Sequence, residues 1–191
     1  MSYTEEYVGV KFRHVKEGEL EFDSSLNEIA LQLQKALSEL PPETLEGVTG
    51  NISARLSDGI LISATRSKLK NLMVPQDLSK VVENTLGGDI IRYYGSKIPS
   101  SETPMHLQVY QNRPDVRFCL HLHLPNLEKL QLLNRFPITK EAYPYGTWEL
   151  AREATKALGS NDFVILRDHG ILAVGNNLDD IIQKIISISQ I

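Results

Sequence analysis

Val116-Arg117-Phe118-Cys119-Leu120-His121-Leu122-His123 alternates in character and lies between a Pro-Asp turn (Pro114, Asp115) and Pro125. That pattern predicts a β-strand. Side chains on a strand alternate faces, so His121 and His123 project the same way, about 7 Å apart along the backbone. Two imidazoles converging from one strand make half of a metal site, because Zn²⁺ takes nitrogen donors at about 2.1 Å. Cys119 shares their face and is a soft ligand type, although a buried, inert thiol is the commoner use of such a residue. Taken alone, His-x-His on a strand also has an ordinary structural explanation, so the other donors must be sought elsewhere in the chain.

Upstream, Ser25-Leu-Asn-Glu28 reads as a capping box. It opens a helix from Ser25 to Leu40 with Leu26, Ile29, Ala30, Leu33, Leu37 and Leu40 on one face, ended by Pro41-Pro42. Gly47 to Leu56 is a glycine-rich turn leading into a strand, and Asp58-Gly59 signals a hairpin to Ile60–Ala64. Ser67 to Lys70 is a basic loop, and Pro75 to Leu78 a single helical turn. Lys80–Leu86 and Asp89–Tyr94 read as two strands joined at Gly87-Gly88. A helix follows from Glu102 to Gln111 and places Glu102 and His106, four apart, on one face.

Downstream come a helix from Pro125 to Asn134 and another from Thr147 to Leu158, its inner stripe formed by Trp148, Ala151 and Ala154 or Thr155. The apolar strands Phe163–Leu166 and Ile171–Val174 are joined through Arg167-Asp168-His169-Gly170. Asn177 caps a last helix that buries Ile181, Ile182, Ile185 and Ile186. Interleaved helices and hairpin strands predict one α/β domain with a largely antiparallel sheet. Residues 1–24 are expected to be a solvated arm, with His14 at the surface, and residues 25–191 the domain.

Composition narrows the class of protein. The 191 residues are 41% hydrophobic and 23% charged, ordinary globular values. A net charge of −4 gives no reason to expect nucleic acid as the partner. No apolar run approaches the roughly eighteen residues of a membrane span. The acidic Met1-Ser-Tyr-Thr-Glu-Glu lacks the apolar core of a signal peptide. A single cysteine excludes an internal disulfide framework, which fits a reducing cytosol and a cytoplasmic setting.

Asp168-His169-Gly170 supplies the third histidine, at a tight turn from which a side chain projects off a sheet end. Three nitrogen donors are the open arrangement of a catalytic zinc. Glu102 opens a helix after Pro99-Ser100-Ser101, where the helix dipole favours a carboxylate; an ordinary first-turn glutamate would look the same. His106 could reach Glu102 or the metal, although a supporting or purely structural role is the commoner use of such a residue. Gly50-Asn51-Ile52-Ser53 offers amides and a hydroxyl, as phosphate cradles do. Lys68 and Lys70 could steer an anion, although surface lysines are the default.

Gly50-Asn51-x-Ser53-x-Arg55, Pro99-Ser100-Ser101-Glu102-Thr103-Pro104-Met105-His106-Leu107, Arg113-Pro114-Asp115-Val116, His121-x-His123 and Asp168-His169-Gly170, in this order, resemble the class II aldolase/adducin-head superfamily. The match runs from the first helix to Gly175. The resemblance implies a three-layer α/β/α domain, commonly a homotetramer with sites at subunit interfaces. It further implies Zn²⁺, or another divalent transition metal, held by His121, His123 and His169, with Glu102 as the acid/base. It makes Asn51 the phosphate-loop asparagine and Ser100 and Ser101 phosphate holders, beside Gly50 and Ser53.

Three departures accompany it. Where relatives carry Ser/Thr-Gly after the second strand, this chain has Thr65-Arg66, so the phosphate pocket is expected to differ, with Arg66 free to pair with a phosphate or carboxylate. The segment from His123 to Tyr143 is shorter than the aldolase's and omits the region of a proton-donating tyrosine, for which Tyr143 and Tyr145 are the candidate substitutes. The chain is also expected to lack the family's longer C-terminal tail, with its substrate-facing tyrosine. The leading expectation is a zinc-dependent aldolase-type lyase that cleaves a small phosphorylated sugar through a metal-stabilised enediolate. The rivals are a dehydratase of the methylthioribulose-phosphate type, a 4-epimerase, and an idle adducin-like metal-binding or interaction domain.

Overall fold

In the computed structural model, which describes residues 7–45, 50–82 and 90–191, β2 (Gly50–Leu56) pairs antiparallel with β6 (Phe118–Leu122). The register sets Asn51 opposite His121 and Ser53 opposite Cys119. Opposed residues share a face, so these four point to one side. Ile52, Ala54, Leu120 and Leu122 point to the other, where they are fully buried. This alternation sends polar chemistry one way and aliphatic packing the other.

The Asp58-Gly59 hairpin forms as expected, with Leu56 facing Gly59 and β3 (Gly59–Ser63) running back along β2. β4 (Leu78–Val82) and β5 (Ile90–Tyr94) continue that edge antiparallel. The Gly87-Gly88 junction expected between them lies outside the described residues, as does Gly47 before β2. On the far side of β6, β8 (Gly170–Gly175) pairs antiparallel with it and with β7 (Phe163–Leu166). The N-terminal arm departs from expectation: Arg13–Gly18 is an edge strand, β1, parallel to β5. The sheet order is β1-β5-β4-β3-β2-β6-β8-β7, and among the described residues β1 and β5 are its one parallel pair. This is a mixed eight-stranded sheet, antiparallel except at that edge.

Helices cover both faces. α1 (Ser24–Ser38) and α5 (Leu178–Ser189) pack over Ile52, Leu61, Leu120 and Leu122. α2 (Thr103–Asn112) and α4 (Trp148–Leu158) pack over Ile60, Ile62, Leu172 and Val174. A short α3 (Leu127–Leu132) follows the His123 segment. α1 starts one residue earlier than the capping box implied, because the cap is Asp23, whose carboxylate accepts from Leu26 N at 2.8 Å. Ser25 instead donates its hydroxyl to Asp23. In α4 the buried stripe is Leu150, Ala151, Ala154 and Leu158, while Trp148 and Thr155 sit half-buried at its margin. Residues 74–77 form a turn whose Asp77 N donates to Met73 O at 2.8 Å. Asn177 caps α5 through Asp179 N.

Candidate metal centre

His121 reaches the site from a strand hydrogen-bonded on both sides, by β2 and β8. Its ring is fully buried, and its Nδ1 donates to Ile171 O at 2.8 Å. That bond fixes the orientation and leaves Nε2 aimed at the other donors. His123 follows at the end of β6, exposed toward a cavity, with its Nε2 2.9 Å from His121 Nε2. His169 comes from the turn between β7 and β8. Asp168 adopts left-handed backbone there (φ 55°), a conformation that aspartate tolerates better than most residues. Gln131 on α3 braces the turn, accepting from Asp168 N at 2.9 Å and donating to its carboxylate at 3.2 Å.

Two glycines allow the close approach. A Cβ on Gly50, whose φ is +152°, would lie 2.2 Å from His121 O. One on Gly170 would lie 2.5 Å from Leu122 O and 3.0 Å from both the His121 and His123 rings. Any side chain at either place would push β2 or β8 off the histidine strand.

Glu102 occupies the N-cap position of α2. Its loop is tied to β3 by Ser100 N donating to Ser63 O at 3.0 Å. The carboxylate spans the histidines: Oε1 lies 2.8 Å from His169 Nε2 and Oε2 2.8 Å from His121 Nε2. Asn51 Nδ2 donates to Oε2 at 3.0 Å. Candidate ligand atoms of Glu102, His121, His123 and His169 all lie within 4.8 Å of one another. Burial opposes the charge on Glu102, but His121 and His169 against it outweigh this and hold its pKa well below the usual carboxylate range.

The donor set suits a cation. With His121 Nδ1–H committed to Ile171 O, a neutral ring turns its Nε2 lone pair toward the Glu102 oxygen and His123 Nε2. Lone pairs at such separations repel unless a proton or a metal ion sits between them. Three imidazoles and one carboxylate match the ligand preferences of zinc and its neighbours. Cys119 is not part of the cluster; burial pushes its thiol up to about 12, so it stays protonated beside Tyr110.

The cluster opens onto a cavity of about 870 Å³. Gly50, Asn51, Thr65, Arg66, Ser100 and Ser101 all line it, so all but one of the residues expected to bind substrate converge there. The exception is Ser53. It is fully buried behind the cavity, bonded to His106 Nδ1 at 2.7 Å and Tyr110 OH at 2.8 Å. Its position two residues after Asn51 on one strand face does bring it near the site, but as a support. Arg66 keeps the left-handed turn (φ 61°) that glycine would adopt, so the turn survives the substitution.

Tyr143 and Tyr145 line the cavity as well, together with Tyr7 and Arg167, which the sequence did not single out. Tyr7 stacks on Tyr145, with ring centroids 5.4 Å apart, and its hydroxyl bonds Thr65 Oγ1. Tyr145 OH accepts from Val8 N at 2.7 Å and donates to Gly9 O at 3.1 Å. Tyr7 lies in an arm without hydrophobic periodicity, which carries no signal of this contact.

Burial holds His106 at about 3, far below its ordinary 6.5. A folded-state pKa below the unfolded one means the contribution is complete above about pH 6.5 and is lost as pH falls from there toward 3. We expect the metal-free protein to lose about 2 kcal/mol from this group between pH 6.5 and 5, read as a falling urea midpoint, and His106→Gln to flatten that dependence.

Comparison with known proteins agrees with this geometry. Residues 41–191 match the family described as the Class II Aldolase and Adducin N-terminal domain. An L-fuculose phosphate aldolase of Escherichia coli O6:H1 is 31% identical over 170 residues, covering 80% of this chain and 75% of that protein. A 5-methylthioribulose-1-phosphate/5-deoxyribulose-1-phosphate aldolase of Rhodospirillum rubrum is 29% identical over 162 residues, covering 76% and 70%. Among solved structures, an L-fuculose 1-phosphate aldolase superposes with a TM-score of 0.71 at 24% identity, covering 88% of this chain and 85% of that one. Its likeness is one of fold. With the match extending over most of its length and the His-Glu cluster at the end of the central strands, the chain belongs to the class II aldolase and adducin N-terminal domain family.

Proposed function

We propose that this protein is a metal-dependent lyase of the aldolase type, using zinc and acting on a small phosphorylated ketose. The observation that carries the reading is the convergence of His121, His123, His169 and Glu102 on one point at the wall of a cavity lined by hydroxyls and by two arginines, Arg66 and Arg167. The names of the two relatives, both sugar-phosphate aldolases, support it. His121, His123 and His169 would hold the ion. Bound there, it supplies Lewis-acid stabilisation of the negative charge that develops on the substrate oxygens as a carbon–carbon bond breaks.

The protein's own groups do the rest. Glu102, within 3 Å of two of the imidazoles, is placed to carry the proton between the fragments: one leaves the hydroxyl of the carbon released as an aldehyde, and one returns to the carbon left on the ketone fragment. Thr65, Ser100 and Ser101 present hydroxyls to a phosphate, with Asn51 beside them. Arg66 adds a fixed positive charge where relatives have backbone alone. The cavity, which Tyr143 and Tyr145 help to line, would be completed by a neighbouring subunit in a tetramer.

The test is a panel of ketose 1-phosphates supplied to zinc-loaded protein and scored separately for aldehyde release and for water loss. Aldehyde release on at least one member is the expected result. Water loss without aldehyde would replace the aldolase by a dehydratase. A full complement of zinc with no turnover on any member would overturn the lyase reading.

A further inference from the structure

A chain of buried polar side chains runs inward from Glu102. Asn51 Nδ2 donates to Glu102 Oε2, His106 Nε2 bonds Asn51 Oδ1, Ser53 Oγ bonds His106 Nδ1, and Tyr110 OH bonds Ser53 Oγ. Ser53 and His106 are fully buried, and Asn51, Glu102 and Tyr110 nearly so. The four bonds link β2 to α2 directly behind the metal cluster.

Directions along this chain are not free. A side-chain amide can face Glu102 with either its oxygen or its nitrogen, and an ionised carboxylate accepts only from the nitrogen. Asn51 Oδ1 therefore turns to His106 and needs a donor there, which requires a proton on His106 Nε2. Nδ1 is then an acceptor and takes the Ser53 hydroxyl hydrogen, and Tyr110 donates in turn to Ser53 at 2.8 Å in preference to the more distant Arg117 O at 3.4 Å. One assignment satisfies every group. The opposite His106 tautomer would set two acceptors against each other at Asn51 or reverse the amide against a carboxylate, at a cost that burial makes severe.

We infer that His106, backed by Ser53 and Tyr110, is a positioning residue that locks the Asn51 amide with its NH₂ toward Glu102, fixing the carboxylate's rotamer and leaving the second Asn51 N–H for an oxygen of a ligand in the cavity. Burial, which keeps the His106 ring neutral well below its ordinary pKa, maintains the lock across the neutral range. The catalytic consequence rests on the lyase reading given above; the orientation itself does not. Asn51, matched by sequence to a phosphate-loop role, would thus couple the substrate's anion to the acid/base.

Two measurements on the full-length, zinc-loaded protein decide it. Side-chain ¹⁵N NMR of the histidines, assigned by comparison with His106→Gln, should show His106 neutral and protonated on Nε2 at pH 7. Protonation on Nδ1, or a charged ring, overturns the inference whether or not the protein is a lyase. Kinetics on a turned-over ketose 1-phosphate then compare His106→Leu, which removes the donor, with His106→Gln, whose amide can still donate to Asn51. The expected outcome is a kcat about tenfold lower in His106→Leu with zinc still bound, and recovery to within about threefold in His106→Gln. If both variants keep the wild-type kcat, or both lose zinc and thermal stability alike with no advantage to glutamine, His106 is structural only and the inference fails. Absence of turnover in the wild type would remove the lyase reading while leaving the NMR result to decide the orientation.

Discussion

His121→Ala is expected to leave less than about a tenth of an equivalent of bound zinc per chain and to lower activity by at least about a thousandfold. Two facts make this position more consequential than the other ligands. His121 lies at the centre of the donor set, its Nε2 facing both Glu102 Oε2 and His123 Nε2. Its ring is also oriented by a backbone carbonyl from the neighbouring strand. Removing it would take away a proposed ligand and the reference for the remaining ones, and would leave Glu102 buried with one fewer partner. The measurement is metal content by elemental analysis after dialysis, with a circular dichroism spectrum to confirm folding. Cys119→Ser is the control. Two residues back on the same face but outside the cluster, it should retain zinc at the wild-type level. Zinc loss in Cys119→Ser, or retention in His121→Ala, would show that the ligands are ranked wrongly.

Glu102→Gln should separate chemistry from binding. The substitution is nearly isosteric and the three imidazoles stay in place, so zinc is expected to remain near one equivalent. The amide can neither accept nor release the proton, and loss of a positioned general acid/base typically costs between about a hundredfold and ten-thousandfold. A kcat reduced about a thousandfold with KM within a few-fold of wild type is the expected result. If kcat is unchanged, the proton moves through another group, and Tyr143 and Tyr145 in the same cavity become the residues to replace next.

The sequence made the centre of the molecule legible and its edges much less so. The apolar stripe of α1, the Asp-Gly turn and the His-x-His alternation are patterns in which each side chain has one acceptable environment. They fixed the sheet around β2, β3 and β6. β1 escaped because an edge strand exposed along almost its whole length carries no burial alternation, and its pairing with β5 is made by backbone groups every residue has. The α1 cap shifted from Ser25 to Asp23 because Asp-Ser-Ser offers several competent caps in a row and only geometry chooses among them. At the site, the histidines stand out by residue type and order, whereas Glu102 by itself reads as an ordinary first-turn glutamate and gains its role only through the family resemblance. Ser53 was assigned to the substrate because its hydroxyl suits either use. Its partner across the interior, His106, lies more than fifty positions away, a separation no local pattern reports. Tyr7 belongs to the same class, since its contact with Thr65 depends on where an arm without periodicity happens to run.

His169 and Glu102 are 67 positions apart, and Asn51 is a further 51 before Glu102. No segment of the chain by itself brings the donors together, so they meet only once β2, β6, β8 and the start of α2 have assembled. On the proposed metal-dependent reading, an unfolded chain would have little hold on the ion and the folded one would have all of it. Metal availability would then help to determine how long the protein survives: at a free-ion concentration a thousand times the dissociation constant, mass action would add about 4 kcal/mol to the folded state. A cell starved of the metal would lose the protein itself as well as its activity, through faster opening and proteolysis.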